Sequence, residues 1–399
     1  IHAGGIAPLG EYKKSWSFKQ LETIARRYDF ELSEPIANIP KEAYDDVIMG
    51  CANQAGEDNR NVARMCLLLA GLPWSVPGET VNRLCSSGLS AIIHANRAIK
   101  AGDGEVFIAG GVEHMTRGPW VISKVSKPFG RDAQMHDSSF GWRFVNGKMQ
   151  ELYGTDGMGT TAENLVDKYD ISREDQDKFA YWSQMKAAEA KRSGRLAKEI
   201  VSVEIPQRKK APIIFDTDEF IKPNTSLEVL AKLRPAFRKK ENGGTVTAGN
   251  ASGLNDGAAA TIIASSDAVK KYGLKPMARI VSSAVVGVEP RIMGIGPVTA
   301  SNKALAKANL TMADMDIIEL NEAFAAQALA CTRAWGLADD DERINPNGGA
   351  IAIGHPLGVT GARIAYSAAL ELQLTGKRYA LVTMCVGVGQ GYAAVIERV

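Results

Sequence analysis

The feature that most constrains the fold is a pattern that occurs twice, once in each half of the chain. Residues 46–49 (DVIM) and 316–319 (DIIE) each resemble a buried strand that leads, after a helix, to a small-residue turn opening another helix. Cys85 and His355 lie in these two turns, each 39 residues after the aspartate of its strand. Strand, helix and strand in this order favour a parallel sheet with crossover helices. We therefore expect two similar α/β halves packed face to face, with the chemistry where the equivalent turns converge.

The pattern also sets the domain boundaries that we predict. Residues 1–115 together with 241–264 are assigned to an N-terminal α/β half, and residues 265–399 to a C-terminal half. The sequence between them, residues 116–240, is charged and irregular with short helices, which indicates an inserted loop domain.

Within the loop domain, two capping pairs predict helix starts: Thr160 with Glu163, and Ser172 with Asp175. Two basic clusters, at residues 208–210 and 238–240, would suit either phosphate groups or a solvated surface, and the second is the commoner use of such clusters.

Composition excludes several classes of protein. The chain has 399 residues, 45% of them apolar, and a net charge of +2, which gives no reason to expect a nucleic-acid partner. No apolar stretch is long enough to cross a bilayer. The five cysteines lack the spacing of zinc sites or of a disulfide framework, so we expect free thiols, a reducing compartment and a cytoplasmic protein. Residues 1–10 resemble a short strand running into a turn.

Cys85 occupies a polar turn that continues as an apolar run without charges, VNRLCSSGLSA. Leu89, Ile92 and Ile93 recur at helical spacing, so we predict a buried helix whose first turn carries Cys85. Unpaired N–H groups and the helix dipole would favour the thiolate there, which is what a nucleophile needs. An isolated cysteine in an apolar helix would more often be an inert core residue.

Three other segments place polar groups at turns or strand ends. His355 lies between glycines and a proline in GGAIAIGHPLG, and Cys385 lies in the glycine-rich MCVGVGQG. Asn321 and Glu322 directly follow an apolar strand, where an amide and a carboxylate could orient a water or a charged intermediate. Each alone would indicate only core packing, but a cysteine with a histidine supplies what thiol activation requires.

Together these motifs resemble the thiolase family. They are NRLCSSG, GNASGLNDG, NEAFA, GHPLG and CVGVGQG, in the family's order. The resemblance covers the chain from about residue 45 to its end and implies the thiolase fold. In that fold two similar α/β halves form a five-layered α-β-α-β-α arrangement with an inserted loop domain. It also implies a homo-oligomer (a dimer, or a dimer of dimers forming a homotetramer), with CoA as co-substrate and neither a metal nor another cofactor.

The resemblance implies CoA-dependent cleavage of a 3-oxoacyl-CoA. Cys85 would attack the keto carbon and become acylated while acetyl-CoA leaves, and CoA would then collect the acyl group. His355 would assist thiolate formation and, with a water held by Asn321, stabilise the enolate oxygen. Cys385 would act as general acid and base. The backbone N–H groups of Cys85 and Gly387 would form a second oxyanion hole.

The resemblance further implies the substrate-binding residues. Those expected beside CoA are Met158, Lys222, Ala236, Phe237, Ala248 and Ser252. Those expected to line the acyl pocket are Met293 and Phe324. Apart from the resemblance, core packing would be the simpler interpretation of Phe237, Met293 and Phe324.

Two segments are similar to the 3-oxoadipyl-CoA thiolases of aromatic-acid degradation, CANQAGEDNRN from Cys51 and FGWRFVN from Phe140. Arg143 or Lys148 would then pair with the distal carboxylate of such a substrate. Gly157 precedes Met158, where acetoacetyl-CoA thiolases typically carry a histidine. An acetoacetyl-CoA thiolase working in the condensing direction remains the alternative.

Two other classes compete with a thiolase. Ketoacyl synthases share the two-half architecture, but they pair the cysteine with two histidines or a histidine and an asparagine, and they lack a second active thiol like Cys385. A non-catalytic CoA or lipid carrier would be expected to lose Cys85, His355 or Cys385, and all three are present.

Overall fold

The computed structural model describes residues 38–399, so the strand predicted within residues 1–10 lies outside the described part. The strands are β1 Asp46–Gly50, β2 Gly78–Val81, β3 Val106–His114, β4 Trp120–Ile122, β5 Met135–Asp137, β6 Val203–Ile205, β7 Ile213–Phe215, β8 Asp256–Ala264, β9 Ala278–Gly287, β10 Ile317–Leu320, β11 Tyr379–Val386 and β12 Gln390–Arg398. The α-helices are α1 Val62–Leu69, α2 Ser87–Ala101, α3 Gly147–Tyr153, α4 Met158–Tyr169, α5 Arg173–Arg192, α6 Leu227–Ala231, α7 Ser266–Tyr272, α8 Gly296–Ala308, α9 Ala325–Ala334, α10 Ala350–Ile353 and α11 Leu357–Thr375.

Two four-stranded sheets form the framework, with strand orders β2-β1-β3-β8 and β10-β11-β12-β9. In the first sheet, β1 and β3 are parallel and β8 pairs antiparallel with β3. In the second sheet, β10 and β11 are parallel and β12 pairs antiparallel with β11. Three strands of each sheet therefore repeat one arrangement, as the duplicated pattern predicts, whereas the fourth strands, β2 and β9, lie at opposite edges. The strand β8, far along the chain, belongs to the first sheet.

Helices α2 and α11 pack against each other between the two sheets. Leu89 and Ile93 of α2 and Ile364 of α11 are buried against the second sheet, while Ile92 of α2 and Ala362 of α11 are buried against the first. Burying a leucine or isoleucine side chain contributes about 1.5–3 kcal/mol, so this middle layer is a large part of the core. Helix α1 covers the outer face of the first sheet, and α8 and α9 cover that of the second. The five layers are thus α-β-α-β-α, as expected.

The structure aligns the first strands of the two halves with a shift of one residue from the alignment that the sequence pattern predicts. Asp45 and Asp316 make the same contacts, since each carboxylate accepts from two consecutive N–H groups at the start of β3 or β11, at 2.7–3.0 Å. Asp45, and not Asp46, is therefore the counterpart of Asp316. Cys85 and His355 remain equivalent, because each lies two residues before the first residue of its central helix.

Two predicted helix starts need correction. Cys85 precedes α2 instead of lying in its first turn, because the helix begins at Ser87 and Ser86 occupies the N-cap position. Helix α4 begins at Met158, so Thr160 lies inside it and does not cap it. Ser172 does cap α5, since its side chain accepts from the backbone N–H of Asp175.

The segment between the halves contains α3 to α6 and two small hairpins, β4 with β5 and β6 with β7. Within residues 38–399, no helix is both long and apolar enough to cross a membrane.

Candidate active site

Cys85 ends a tight turn that leads into α2, and it is buried. Leu84, just before it, has a φ of +47°, a left-handed conformation that non-glycine residues seldom adopt. Hydrogen bonds hold the turn in this shape, because Ser87 Oγ accepts from Arg83 N at 2.9 Å and donates to the Leu84 carbonyl at 2.7 Å. Such a strained backbone at a buried thiol is typical of a functional position.

Gly387 supplies a second N–H group to the Cys85 sulfur. The backbone N–H groups of Gly387 and of Cys85 itself both act to lower the pKa of the thiol. A Cβ at Gly387 would lie 3.1 Å from Leu84 Cδ1, so a glycine suits this close approach. Val388, the next residue, has a φ of +61°, which a β-branched side chain rarely tolerates. The structure thus brings together the two N–H groups predicted for an oxyanion hole.

His355 is buried, and its hydrogen bonds define the tautomer. Its Nδ1 lies 2.7 Å from Thr360 Oγ1, and that hydroxyl donates its hydrogen to the Pro356 carbonyl at 2.9 Å. Because the hydroxyl accepts at the other contact, Nδ1 carries the proton and Nε2 keeps its lone pair. Nε2 is therefore the nitrogen that can receive a proton.

Asn321 follows β10 and faces His355. Its Nδ2 lies 3.3 Å from His355 Nε2, and its Oδ1 is buried without a hydrogen-bond partner in the described part of the chain. Buried polar atoms are nearly always satisfied, so this oxygen indicates a place for a water or a substrate donor.

Glu322, by contrast, does not face the imidazole. Its carboxylate accepts from Asn345 Nδ2 at 2.7 Å, from Ser183 Oγ at 2.6 Å and from Ile351 N at 3.2 Å. These contacts tie the strand end to α5 and to α10. The alternative that Glu322 orients a reacting water is not favoured, because its oxygens are already engaged.

Cys385 lies in β11 with no exposed surface. It packs in one cluster with Met158, Met293 and Phe324, the methionines and phenylalanine expected at the acyl and CoA sites. Phe237 meets Phe324 edge to face, with 6.0 Å between ring centroids. Three predicted binding residues therefore pack in one cluster with the second thiol, and Phe237 contacts one of them.

Burial decides the charges of the two cysteines and the histidine. It raises the pKa of Cys85 to about 11, outweighing the two N–H groups, and it lowers the pKa of His355 to about 3, with the charge of Arg363 acting in the same direction. Burial, together with the charge of Cys85, also raises the pKa of Cys385 well above its ordinary value. The expected low pKa of Cys85 is therefore wrong, since loss of hydration outweighs stabilisation of the thiolate by the backbone N–H groups. The resting pair is a neutral thiol and a neutral imidazole.

The segment expected beside CoA runs along the strand end that carries Asn321. Ser252 N donates to the Ala323 carbonyl at 3.0 Å, and Ala236 N donates to the Val246 carbonyl at 2.9 Å. Ala248 and Ala236 are exposed and Ser252 is half-buried. Small side chains on this segment leave its backbone open to a ligand.

Lys222 is exposed. Its Nζ lies 4.4 Å from the centre of the Phe220 ring, and a Cβ at Gly253 would lie 2.4 Å from that ring's Cζ atom. Phe220 thus links Lys222 to the glycine that follows Ser252, which suits a lysine at the nucleotide end of CoA.

Sequence reasoning missed the role of Glu163. This buried carboxylate accepts from the backbone of Thr245 at 2.9 Å and of Val246 at 3.0 Å, and it pairs with Arg238 at 2.9 Å. It therefore fixes the glycine-rich segment to α4. Arg238 also pairs with Asp167, so it is neutralised and is not favoured as a phosphate ligand. Nothing in the spacing of the sequence indicated these long-range contacts.

Comparison with known proteins agrees with the duplicated fold and the paired turns, which define an acyl-transferring enzyme that uses a cysteine. The N-terminal thiolase domain matches residues 7–267, and the C-terminal thiolase domain matches residues 274–398. The chain belongs to the thiolase family of acyltransferases, and the predicted resemblance is confirmed.

Individual relatives narrow the comparison. A protein of Acinetobacter baylyi named beta-ketoadipyl-CoA thiolase is 59% identical over 89% of this chain and 88% of its own length. The 3-oxoadipyl-CoA/3-oxo-5,6-dehydrosuberyl-CoA thiolase of Escherichia coli is 55% identical over 98% of this chain and 97% of its own length. Among solved structures, the acetyl-CoA acetyltransferase of Bacillus anthracis superposes with a TM-score of 0.83 at 39% identity, covering 95% of this chain and 91% of its own. The predicted similarity to 3-oxoadipyl-CoA thiolases is confirmed.

Proposed function

We propose that this enzyme cleaves 3-oxoadipyl-CoA with CoA, giving succinyl-CoA and acetyl-CoA through an acyl-enzyme on Cys85. The observation that carries the proposal is the equivalent placement of Cys85 and His355, each two residues before the first residue of its central helix. The names of the curated relatives support the choice of substrate.

In the first half-reaction the Cys85 sulfur attacks the keto carbon, C3, as its proton passes to His355 Nε2. The bond between C2 and C3 breaks, and its electron pair stays on C2 as the enolate of acetyl-CoA. A water held by Asn321 Oδ1, together with the protonated imidazole, stabilises the enolate oxygen. The raised pKa of Cys385 keeps this thiol protonated, so it can donate the proton that C2 needs.

The second half-reaction returns the enzyme to its starting state. The CoA thiol gives its proton to the Cys385 thiolate and attacks the thioester carbon. The N–H groups of Cys85 and Gly387 stabilise the negative oxygen of the tetrahedral intermediate. Cys85 then leaves and recovers its proton from His355. All protons are exchanged among side chains and CoA, so the proposed cycle uses no metal or other cofactor.

Arg143 supports recognition of a second carboxylate in the substrate. Its half-buried guanidinium donates to Asn53 Oδ1 at 2.9 Å and to the Ser138 carbonyl at 3.4 Å, both neutral acceptors, and it forms no ion pair within the described residues. Asn82 Nδ2 donates to the Ala52 carbonyl at 2.9 Å, which ties this loop to the turn before Cys85. A guanidinium without an anionic partner is suited to bidentate pairing with a carboxylate.

Lys148 is the weaker of the two candidates because it is exposed and pairs with Glu151 at 2.9 Å. Lys148 also provides a matched control, because Arg143→Gln and Lys148→Gln each remove one positive charge from the loop domain.

Thiolysis of 3-oxoadipyl-CoA, a medium-chain 3-oxoacyl-CoA and acetoacetyl-CoA by the wild type, Arg143→Gln and Lys148→Gln tests the proposal. We expect wild type to prefer 3-oxoadipyl-CoA, and Arg143→Gln to raise KM for that substrate about tenfold or more, as loss of a charge-assisted hydrogen bond does. Lys148→Gln should match wild type. Equal KM values for both variants with the dicarboxylyl substrate would reject the role of Arg143.

The likeness to the Bacillus anthracis acetyl-CoA acetyltransferase favours a second candidate, an acetoacetyl-CoA thiolase working in the condensing direction. Faster turnover of acetoacetyl-CoA than of 3-oxoadipyl-CoA would select it. No turnover of any substrate would select the carrier alternative.

We further propose a homo-oligomer, either a dimer or a dimer of dimers, in the cytoplasm. The hairpin of β4 and β5 carries large apolar side chains in water, with Trp120 70% exposed, which supports an additional subunit contact. The five cysteines are all unpaired, which supports a reducing compartment.

A further inference from the structure

Glu113, near the end of β3, connects the first half of the molecule to the His355 turn of the second half. The side chain is 1% exposed, and its carboxylate accepts from Gly358 N at 2.7 Å. Gly358 is the second residue of α11, three residues after His355. The same carboxylate accepts from Ala52 N at 2.9 Å and Asn53 N at 3.0 Å.

A structural clamp explains this carboxylate better than a cation site does. Cys51, Asp58 and Glu113 place potential ligand atoms within 4.8 Å of one another, the one such group in the described residues. Both Glu113 oxygens, however, already accept backbone N–H groups. A carboxylate is also the favoured partner for an unpaired N–H group in the first turn of a helix, because the helix dipole is positive there.

The contact lies where α11 and the first half have almost no freedom to move. A Cβ at Gly358 would lie 2.5 Å from the Val112 carbonyl oxygen and 2.8 Å from that of Gly50. A Cβ at Gly111 would lie 1.9 Å from the Gly358 carbonyl oxygen. Backbone therefore packs directly on backbone, and a shift of the first turn of α11 would move His355 with it.

We infer that Glu113 is a positioning residue that fixes His355 relative to Cys85 by holding the first turn of α11 against the first half. The inference rests on the proposed function of His355 as the proton acceptor. Glu113 acts through the turn and touches neither the substrate nor the imidazole.

Glu113→Gln tests the inference, with Asp58→Asn as the matched control. Asp58 is a buried carboxylate of the same loop region, accepting from Gly56 N at 3.1 Å, and within residues 38–399 it has no hydrogen bond to the His355 turn. In Glu113→Gln at least one of the three N–H groups must face the amide nitrogen, which cannot accept a hydrogen bond. Misplacement of a reacting group by about 1 Å costs about 10²-fold in rate, so we expect kcat to fall by about that factor with KM for CoA unchanged. Asp58→Asn should stay within about threefold of wild type.

A double-mutant comparison in the His355→Asn background separates positioning from general damage. If Glu113 acts through His355, adding Glu113→Gln to His355→Asn lowers the residual kcat by less than about threefold. Glu113→Asp keeps the carboxylate on a shorter side chain and should lose less activity than Glu113→Gln. This second variant keeps the inference testable if Glu113→Gln folds poorly. Equal losses in both backgrounds, or wild-type kcat in Glu113→Gln and Glu113→Asp, would overturn the inference. Wild-type thiolysis tests the proposed function separately.

Discussion

The Cys85 turn and the His355 turn occupy equivalent places in the two halves, yet they are supported in different ways. The Cys85 turn has a left-handed residue at Leu84 and receives two N–H groups at its sulfur. The His355 turn is held by side chains, with Thr360 on one ring nitrogen and Asn321 on the other. The two turns thus match in their place in the fold, while their different hydrogen bonds suit the proposed roles of Cys85 as nucleophile and of His355 as base.

Both turns are buried, and this burial determines the charges of Cys85 and His355. Burial opposes ionisation of both groups, raising the pKa of Cys85 to about 11 and lowering that of His355 to about 3. In the proposed mechanism, proton transfer from Cys85 to His355 creates a thiolate and an imidazolium together, and their mutual attraction would offset part of the cost of burying each charge. Activation is therefore a property of the two turns as a pair.

Removing the base should have the largest effect. His355→Asn keeps a polar side chain but has no group that can accept the proton, so kcat for thiolysis should fall by about 10²–10⁴-fold. The measurement is steady-state kinetics on folded protein, with Cys66→Ala, a half-buried thiol of α1 on the outer face of the first sheet, as the control. Near-normal turnover in His355→Asn would contradict the proposal that His355 accepts the proton of Cys85.

The pH dependence of Cys85 alkylation in the substrate-free enzyme should show the next largest effect. Because the thiolate is a minor species below a pKa of about 11, the rate should rise about tenfold per pH unit between pH 7 and 9. Iodoacetamide labelling, followed at the Cys85 peptide by mass spectrometry, measures it. A rate that levels off below pH 8 would show that His355 already holds the proton in the resting enzyme.

Thr360→Val should have a smaller effect on kcat, and it tests the side-chain support of the His355 turn. It keeps the shape of the side chain but removes the acceptor that fixes the proton on Nδ1. Loss of about one hydrogen bond predicts a fall in kcat of about tenfold, with KM little changed. Thr332→Val, which removes another buried hydroxyl far from the imidazole, is the control. Equal effects of the two variants would contradict a role for the tautomer.

The smallest effect concerns stability. Glu319 in β10 has a pKa raised to about 8 by burial, whereas Ile48 occupies the corresponding place in β1. The neutral form is favoured in the folded state, so its contribution is present at low pH and is lost as pH rises from about 4.5 through 8. Glu319→Gln should therefore flatten the dependence of Tm on pH between 5 and 8. An unchanged slope, measured by thermal unfolding, would reject the raised pKa.

Local patterns predicted the fold because strand and helix periodicities are short-range signals. The duplicated strands, the central helices and the cap at Ser172 all follow from spacing. The equivalence of Cys85 and His355 was also visible, although the register of β1 against β10 was one residue off because the intervening segments differ in length by one residue.

The electrostatics and the supporting contacts were not predictable in the same way. The pKa of Cys85 depends on how completely the second half covers it, and no local pattern encodes that burial. Glu163 and Glu113 each bind backbone N–H groups more than 60 residues away in sequence, at places that only the assembled fold creates.

The most direct test is to trap the acyl-enzyme. The protein is incubated with 3-oxoadipyl-CoA in the absence of free CoA. The reaction is then quenched, the protein is digested, and the mass of each cysteine-containing peptide is measured by mass spectrometry. The account predicts a succinyl group on Cys85 alone, with an equal amount of acetyl-CoA released, and no adduct in Cys85→Ala. Acetyl-CoA release with the acyl group on Cys385, or on no cysteine, would contradict it.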